Sequence, residues 1–310
     1  MSSLSLPEEM IMAKARTPLS IFLLLLLLAG CATAPAPVPP HQNMMAKTDD
    51  LGMVADWSLQ MADKYGAGRV LVVFDIDNTL LAMEQGLGSD TWYYWQKDLA
   101  QTDPCSDMLV SDRFQVQGAL FYASAMRPTQ EDAAAQLRRI QDAGIPVIAL
   151  TSRGTDYRLQ TFRELRRNGM VFWPNALPPQ RGWPESFVPE GGSRPARYED
   201  GVFLTAGQHK GAMLSALLAR TGAVVPDIVV VADDKRENLA AVMETYEGSA
   251  TSVHAWRYSR EDAVVNAFDP QQAADEWEAL RPSLVTLEQL LGPDHFSLPA
   301  PEAREGCQNN

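Results

Sequence analysis

The chain has 310 residues, 46% hydrophobic and 21% charged, enough for one large domain or two small ones around a real core. Its net charge of −13 excludes a protein that grips nucleic acid through the phosphates, which requires a basic surface. A small phosphorylated ligand remains compatible, because a cation can meet its charge locally.

The N-terminus reads as an export signal. Lys14 and Arg16 precede an apolar block, Ile21 to Leu28, which Ala29-Gly30-Cys31 closes. A basic start, a short apolar stretch and small residues before a cleavage point make a signal peptide. The block falls well short of the ~20 residues of a spanning helix. Glu8 and Glu9 fit such a start poorly, so Met10 or Met12 is the alternative beginning. Leu28-Ala29-Gly30-Cys31 resembles a bacterial lipobox, which makes Cys31 the lipidated first residue of the mature chain. The other reading is an ordinary signal peptide with a chance cysteine. By the same resemblance, Ala32 in place of Asp implies the outer membrane, facing the periplasm. Residues 1–31 are therefore expected to be signal peptide and lipobox, and 32–47 a stiff Pro/Ala-rich tether. An exported compartment permits a disulfide between Cys105 and Cys307, the latter in a polar tail at 293–310.

Between tether and tail, residues 48–292 are expected to form the folded domain. Leu51, Val54, Ala55, Trp57, Leu59 and Met61 have helical spacing and end at Tyr65-Gly66. The run Val70 to Phe74 is continuously apolar and β-branched, as in a strand buried on both faces. It ends in Asp75-Ile76-Asp77, two carboxylates that extended geometry turns to one side. Residues 81–128 read as a helical insert, a cap with the cluster Trp92-Tyr93-Tyr94-Trp95. Thr129 is expected to cap a helix through Ala143. A second buried strand, from Ile145, ends in Thr151-Ser152-Arg153, and an arginine-rich helix at 156–168 follows, with Asp156 as its N-cap. Val171-Phe172 reads as the start of a short strand. Six prolines and Gly191-Gly192 then mark a second, irregular insert at about 173–200. A hairpin turned at Asp200-Gly201 precedes a helix that opens with His209-Lys210-Gly211. The strand from Asp227 ends in Asp233-Asp234. After it come a helix at 236–247, a strand at 252–256, and helices at 259–268, 270–281 and 284–291.

Strands alternating with helices predict an α/β fold, a mostly parallel sheet covered on both faces. Such sheets bind ligands at the carboxyl ends of their strands, where the polar strand ends named above would converge.

Four elements in order, Phe74-Asp75-Ile76-Asp77-Asn78-Thr79-Leu80, Ala149-Leu150-Thr151-Ser152-Arg153-Gly154, His209-Lys210-Gly211 and Val230-Val231-Ala232-Asp233-Asp234-Lys235-Arg236-Glu237-Asn238, resemble the haloacid-dehalogenase-like (HAD) phosphohydrolase superfamily over about residues 69–257. Thr79 and the Asp233-Asp234…Asn238 pattern are most similar to the exported HAD-like domain of the DUF2608 type, more distantly to class C lipoprotein acid phosphatases. The resemblance implies a HAD-like, Rossmann-like fold with a small cap, and Mg²⁺-dependent hydrolysis of a small phosphomonoester. Asp75 would be the nucleophile, forming an aspartyl-phosphate, and Asp77 the acid and then the base. The Asp75 and Asp233 carboxylates and the Asp77 carbonyl would hold Mg²⁺, with Asp234 acting directly or through water and Asn238 further out. Thr151, Ser152 and Lys210 would bind phosphate.

Other readings stand beside these. Thr151 can be a helix cap, Ser152 and Arg153 can serve a local ion pair, and the Trp92–Trp95 aromatics can be packing rather than a substrate cover. His41, His209, His254 and His295 have no metal-ligand spacing. At the level of function, the alternatives are a non-catalytic envelope binding protein on the same fold and a phosphotransferase that uses the same residues.

Overall fold

The structure, a computed structural model, describes residues 39–111 and 113–292. The signal peptide, Cys31, the first part of the tether and the tail with Cys307 lie outside the described residues.

The apolar runs build a seven-stranded sheet. In chain order its strands are β1 (Met44–Thr48), β2 (Val70–Phe74), β5 (Val147–Thr151), β6 (Arg197–Glu199), β7 (Val202–Leu204), β8 (Ile228–Asp233) and β9 (Ser252–Tyr258). Their spatial order is β1-β9-β8-β2-β5-β7-β6. Every pairing is parallel except that of β6 with β7. The alternation of side chains divides the core in two. Val70, Val72 and Phe74 face one layer, with Val54, Leu137 and Leu165 from helices α1 (Leu51–Tyr65), α4 (Ala133–Asp142) and α5 (Arg158–Arg167). Leu71 and Val73 face the other, with Leu214, Leu217 and Val242 from α6 (Lys210–Thr221) and α7 (Arg236–Thr245). This is the expected α/β arrangement, with the carboxyl ends of β2, β5 and β8 side by side at the centre.

The segment after the Asp-x-Asp turn leaves the sheet and returns. Strands β3 (Leu81–Met83) and β4 (Met126–Pro128) pair antiparallel and pin its two ends together. Between them lie α2 (Asp90–Thr102) and α3 (Arg113–Ala123). These helices have their own small core of Leu87, Trp92, Val110, Val116 and Leu120. It closes against α9 (Pro270–Leu291) through Ala273, Trp277 and Leu280, so the last helix buttresses the insert. Cys105, just past α2, is disulfide-bonded. Both other cysteines lie outside the described residues.

Several elements differ from the sequence reading. Met44–Thr48 is an edge strand, not tether. It lies along β9, and Met44 and Ala46 pack on one core layer while Met45 packs on the other. Val171-Phe172 is not a strand, because β7 takes the position beside β5. Phe172 is still buried, leading into a 3₁₀ turn at Trp173–Asn175. Thr129 does not cap α4. Its hydroxyl donates to the Thr79 carbonyl at 2.6 Å, and the N-cap position belongs to Asp132. Asp156 sits inside a 3₁₀ turn (Thr155–Tyr157), and Tyr157 is the N-cap of α5. The two expected helices at 270–281 and 284–291 are one, running through Pro282. Pro282 is exposed, and Ala273 and Leu284, eleven residues or three turns apart, are buried on one face that continues across it. α8 (Asp262–Asn266) is shorter than expected. Residues 176–196 form neither helix nor strand, as their prolines predict. The hairpin is as expected, with Asp200 at φ 47° and Gly201 at φ 80°. Among the described residues, no helix is long and apolar enough to cross a membrane.

Gly211 sets how closely α6 approaches α7. A Cβ there would collide with the Thr245 hydroxyl and the Ala241 carbonyl. Gly211→Ala should therefore destabilise the fold by about 2 kcal/mol despite alanine's better helix propensity, read from the denaturant midpoint.

Candidate active site

Asp75 follows the last residue of β2, and its N–H extends the ladder to the Ala232 carbonyl at 2.9 Å. The chain then turns tightly. The N–H groups of Leu80 and Leu81 both donate to the Ile76 carbonyl at 2.9 Å, with Asn78 left-handed at φ 59°. Asparagine tolerates that conformation better than a branched residue would. Thr79 is fully buried beneath this turn.

Lys210, the first residue of α6, is 3% exposed and reaches across the strand ends. Its ammonium donates to Asp75 Oδ1 at 2.5 Å and to Asp233 Oδ2 at 2.6 Å. Asp234 completes the group, since ligand oxygens of Asp75, Asp233 and Asp234 all lie within 4.8 Å of one another. Around an octahedral Mg²⁺ adjacent oxygens stand about 3 Å apart and opposite ones about 4 Å, so the three carboxylates lie within reach of one ion. Asp233 is the most firmly held of the three. Its oxygens accept from the Lys235 N–H at 2.8 Å and from the Asn238 amide at 2.9 and 3.1 Å. Asn238 thus orients a carboxylate rather than facing the cation site.

The electrostatics point the same way. Burial pushes the Asp75 carboxyl up to about 7; Lys210 opposes the rise, and Asp233 and Asp77 add to it. Burial, with Asp75 and Asp233 nearby, pushes Asp234 up to about 9. Burial also works against the Lys210 charge, but Asp233 and Asp75 outweigh it and hold the ammonium above its ordinary range. Without a cation, protons must neutralise part of this cluster. A divalent ion would displace them, so the residues fit Mg²⁺ on charge as well as on geometry.

Asp77 turns to a different partner. Arg153 clasps it with Nε to Oδ2 at 2.9 Å and Nη2 to Oδ1 at 2.8 Å, while its Nη1 donates to the Thr161 hydroxyl at 2.9 Å. The Arg153 guanidinium also lies 4.6 Å over the Phe121 ring of the insert. The local ion-pair reading is therefore the one this structure shows for Arg153. Thr151 is fully buried at the end of β5, and its hydroxyl accepts from the Arg153 N–H at 3.2 Å, which leaves the hydroxyl proton to donate. Ser152 lines a cavity of about 700 Å³ with Asp77 and the insert. The four clustered aromatics divide. Trp92 is buried in the insert's core and Trp95 packs on Phe268, whereas Tyr93 and Tyr94 line the cavity.

Two site residues were not singled out from sequence. Asp90, the first residue of α2, accepts from Lys235 Nζ at 2.7 Å, and that ammonium lies 3.4 Å over the Tyr94 ring. This pair joins the insert to the segment that carries Asp233 and Asp234. The available signals were Ser89-Asp90 as a helix start and a lysine directly after the aspartate pair.

The family model described as "Protein of unknown function (DUF2608)" matches residues 55–289. The chain belongs to this family. The match extends beyond the four motifs to take in most of α1 and α9. A comparison with curated proteins finds no match. The buried cluster of Asp75, Asp233 and Lys210, with half-buried Asp234 beside it, at the centre of a parallel sheet has the make-up of a HAD-like catalytic and cation-binding site.

Two outcomes follow from this geometry. Arg153→Ala leaves Asp77 without its fork and should cost about 3 kcal/mol of unfolding free energy, measured with denaturant. The second concerns pH. A carboxyl raised by folding holds its proton more tightly folded than unfolded, so the metal-free protein loses stability as pH rises from about 4 through the raised values of Asp75 and Asp234. Mg²⁺ should then raise the thermal midpoint more at about pH 8.5 than at about pH 6.

Proposed function

We propose that this protein is a Mg²⁺-dependent phosphomonoesterase acting through an aspartyl-phosphate, held by a lipid on Cys31 at the bacterial outer membrane, facing the periplasm. The observation that carries the catalytic part is the Lys210 ammonium shared between Asp75 and Asp233, with Asp234 beside them. A carboxylate attacks a phosphate dianion only where positive charge offsets their repulsion.

Asp75 would supply the attacking oxygen, and Lys210 would balance charge on both nucleophile and phosphoryl oxygens. Mg²⁺, held by Asp75, Asp233, Asp234 and the Asp77 carbonyl, would add the divalent charge that draws phosphate to the nucleophile. Thr151 and Ser152 would donate to the phosphoryl oxygens. Asp77 would give a proton to the leaving oxygen as the P–O bond breaks, then take one from the water that cleaves the acyl-phosphate. A guanidinium fork suits a carboxylate, so Arg153 fixes the orientation of both Asp77 oxygens. Donating a proton requires one of the two bonds to open, and a bound phosphate competes for the same guanidinium.

Hydrolysis of p-nitrophenyl phosphate should require Mg²⁺ and fall about 10³-fold or more in Asp75→Asn. Activity that survives this change overturns the nucleophile. Asp77→Asn should slow turnover about 10²-fold or more, with a phosphoenzyme trapped on rapid acid quench. For the anchor, Cys31→Ser should move the protein from the membrane fraction to the soluble periplasmic fraction. Retention in the membrane overturns it.

A further inference from the structure

The leaving group must lie beyond Asp77, the residue assigned to protonate it, and two cavities share that residue. The smaller, about 400 Å³, is lined by Glu84, Asp90, Glu261, Asp269 and Glu276; Arg127 pairs with Glu84 and Glu261 and Lys235 with Asp90, which leaves Asp269 and Glu276 without an ion pair among the described residues. The larger, about 700 Å³, also takes in Ser152 of the proposed phosphate site. Its size is that of a pocket for a molecule larger than phosphate and a short chain.

The lining of the larger cavity has a definite chemistry. Five aromatic rings come from three segments: Tyr93 and Tyr94 on α2, Phe114 and Phe121 on α3, and Tyr157 before α5. Tyr93 and Phe114 stand 5.0 Å apart between centroids, and Phe121 and Tyr157 5.8 Å. Phe114 is half exposed, an apolar face left open beside the cavity. Charge is distributed just as specifically. Arg153 neutralises Asp77 and Lys235 neutralises Asp90. Lys97, Arg194 and Asp156 remain in the lining, and none of them forms an ion pair among the described residues. Over the whole lining Lys97, Arg153 and Arg194 stand against Asp77, Asp90 and Asp156, so the charges balance, and exposed Lys97 and Arg194 are the cations outside the Asp77 pair that a further anion can meet.

We propose that the larger cavity is the leaving-group site, and that the leaving group is a flat aromatic ring carrying a further negative charge, as in a nucleoside bisphosphate. The aromatic walls supply stacking faces for the ring. Lys97 and Arg194 meet the additional charge. The acidic cavity repels the same group, which fixes the direction in which it leaves Asp77. This assignment rests on the phosphomonoesterase reading of the site, because that reading places Asp77 on the leaving oxygen.

The test is a ladder of three phosphomonoesters: ribose 5-phosphate, adenosine 5′-monophosphate and adenosine 3′,5′-bisphosphate. With Mg²⁺ and the wild-type protein, kcat/KM should rise about tenfold when the ring is added and about tenfold again with the second phosphate. The second step should shrink as salt is raised, and the first should not. Tyr93→Leu with Phe114→Leu should reduce the first step, and Lys97→Ala with Arg194→Ala the second. Equal kcat/KM along the ladder, or a preference for ribose 5-phosphate, overturns the proposal. Calorimetric binding of the same compounds to Asp75→Asn separates the two readings. Graded binding with no wild-type turnover sinks the phosphatase and keeps the site. Turnover without grading sinks the site and keeps the phosphatase. Binding with no gradation and no turnover sinks both.

Discussion

Buried carboxylates do not stand side by side without positive charge, and Lys210 is the charge this fold supplies. Its ammonium touches Asp75 and Asp233 at once, so it ties the end of β2 to the end of β8. Much of the architecture serves that contact. The hairpin β6–β7 returns the chain to the right edge of the sheet, and α6 starts immediately after it. Gly211 lets α6 lie against α7, which places Lys210 over the strand ends. The cluster is still short of positive charge by itself, as the raised carboxyls of Asp75 and Asp234 record. That shortfall is what makes it receptive to a cation.

The core and the central cluster were legible because their signals are local. An unbroken β-branched run such as Val70–Phe74 can be buried on both faces, and Asp200-Gly201 specifies a tight hairpin by its backbone preference alone. What escaped the sequence depends on partners far along the chain. Met44–Thr48 becomes a strand because β9 presents an open edge, and nothing within five residues announces that edge. Val171-Phe172 has strand-forming residues but no neighbour to pair with. Pro282 removes one hydrogen bond from α9, but it faces solvent, where water can serve the freed carbonyl. The Asp77–Arg153 and Asp90–Lys235 pairs join residues 76 and 145 positions apart. One part of the miss was readable. Consecutive residues on a helix step by about 100°, which sets Trp92 and Trp95 about 60° apart and turns Tyr93 and Tyr94 elsewhere, so the four could never have faced one ligand together.

The two ion pairs also shape what surrounds the reacting centre. Each cancels a carboxylate that would otherwise face the larger cavity, and each joins the insert or its neighbour to a motif residue. Arg153 lies between Asp77 and Phe121, and Lys235 between Asp90 and Tyr94. The insert is thus positioned by the same cations that tune the site, so its place and the electrostatics beneath it change together.

The packing of α9 against the insert has a consequence for how the protein is made. The turn that bears Asp75 and Asp77 leaves the ribosome early, and α2 and α3 follow soon after. Their small core is finished by Ala273, Trp277 and Leu280, which emerge about 150 residues later. Until then the insert has an open apolar flank, the kind of surface that draws chaperones or misdirected contacts. A chain truncated before residue 270 would keep the whole Asp75–Lys210–Asp233 cluster and lose the wall that steadies its cover.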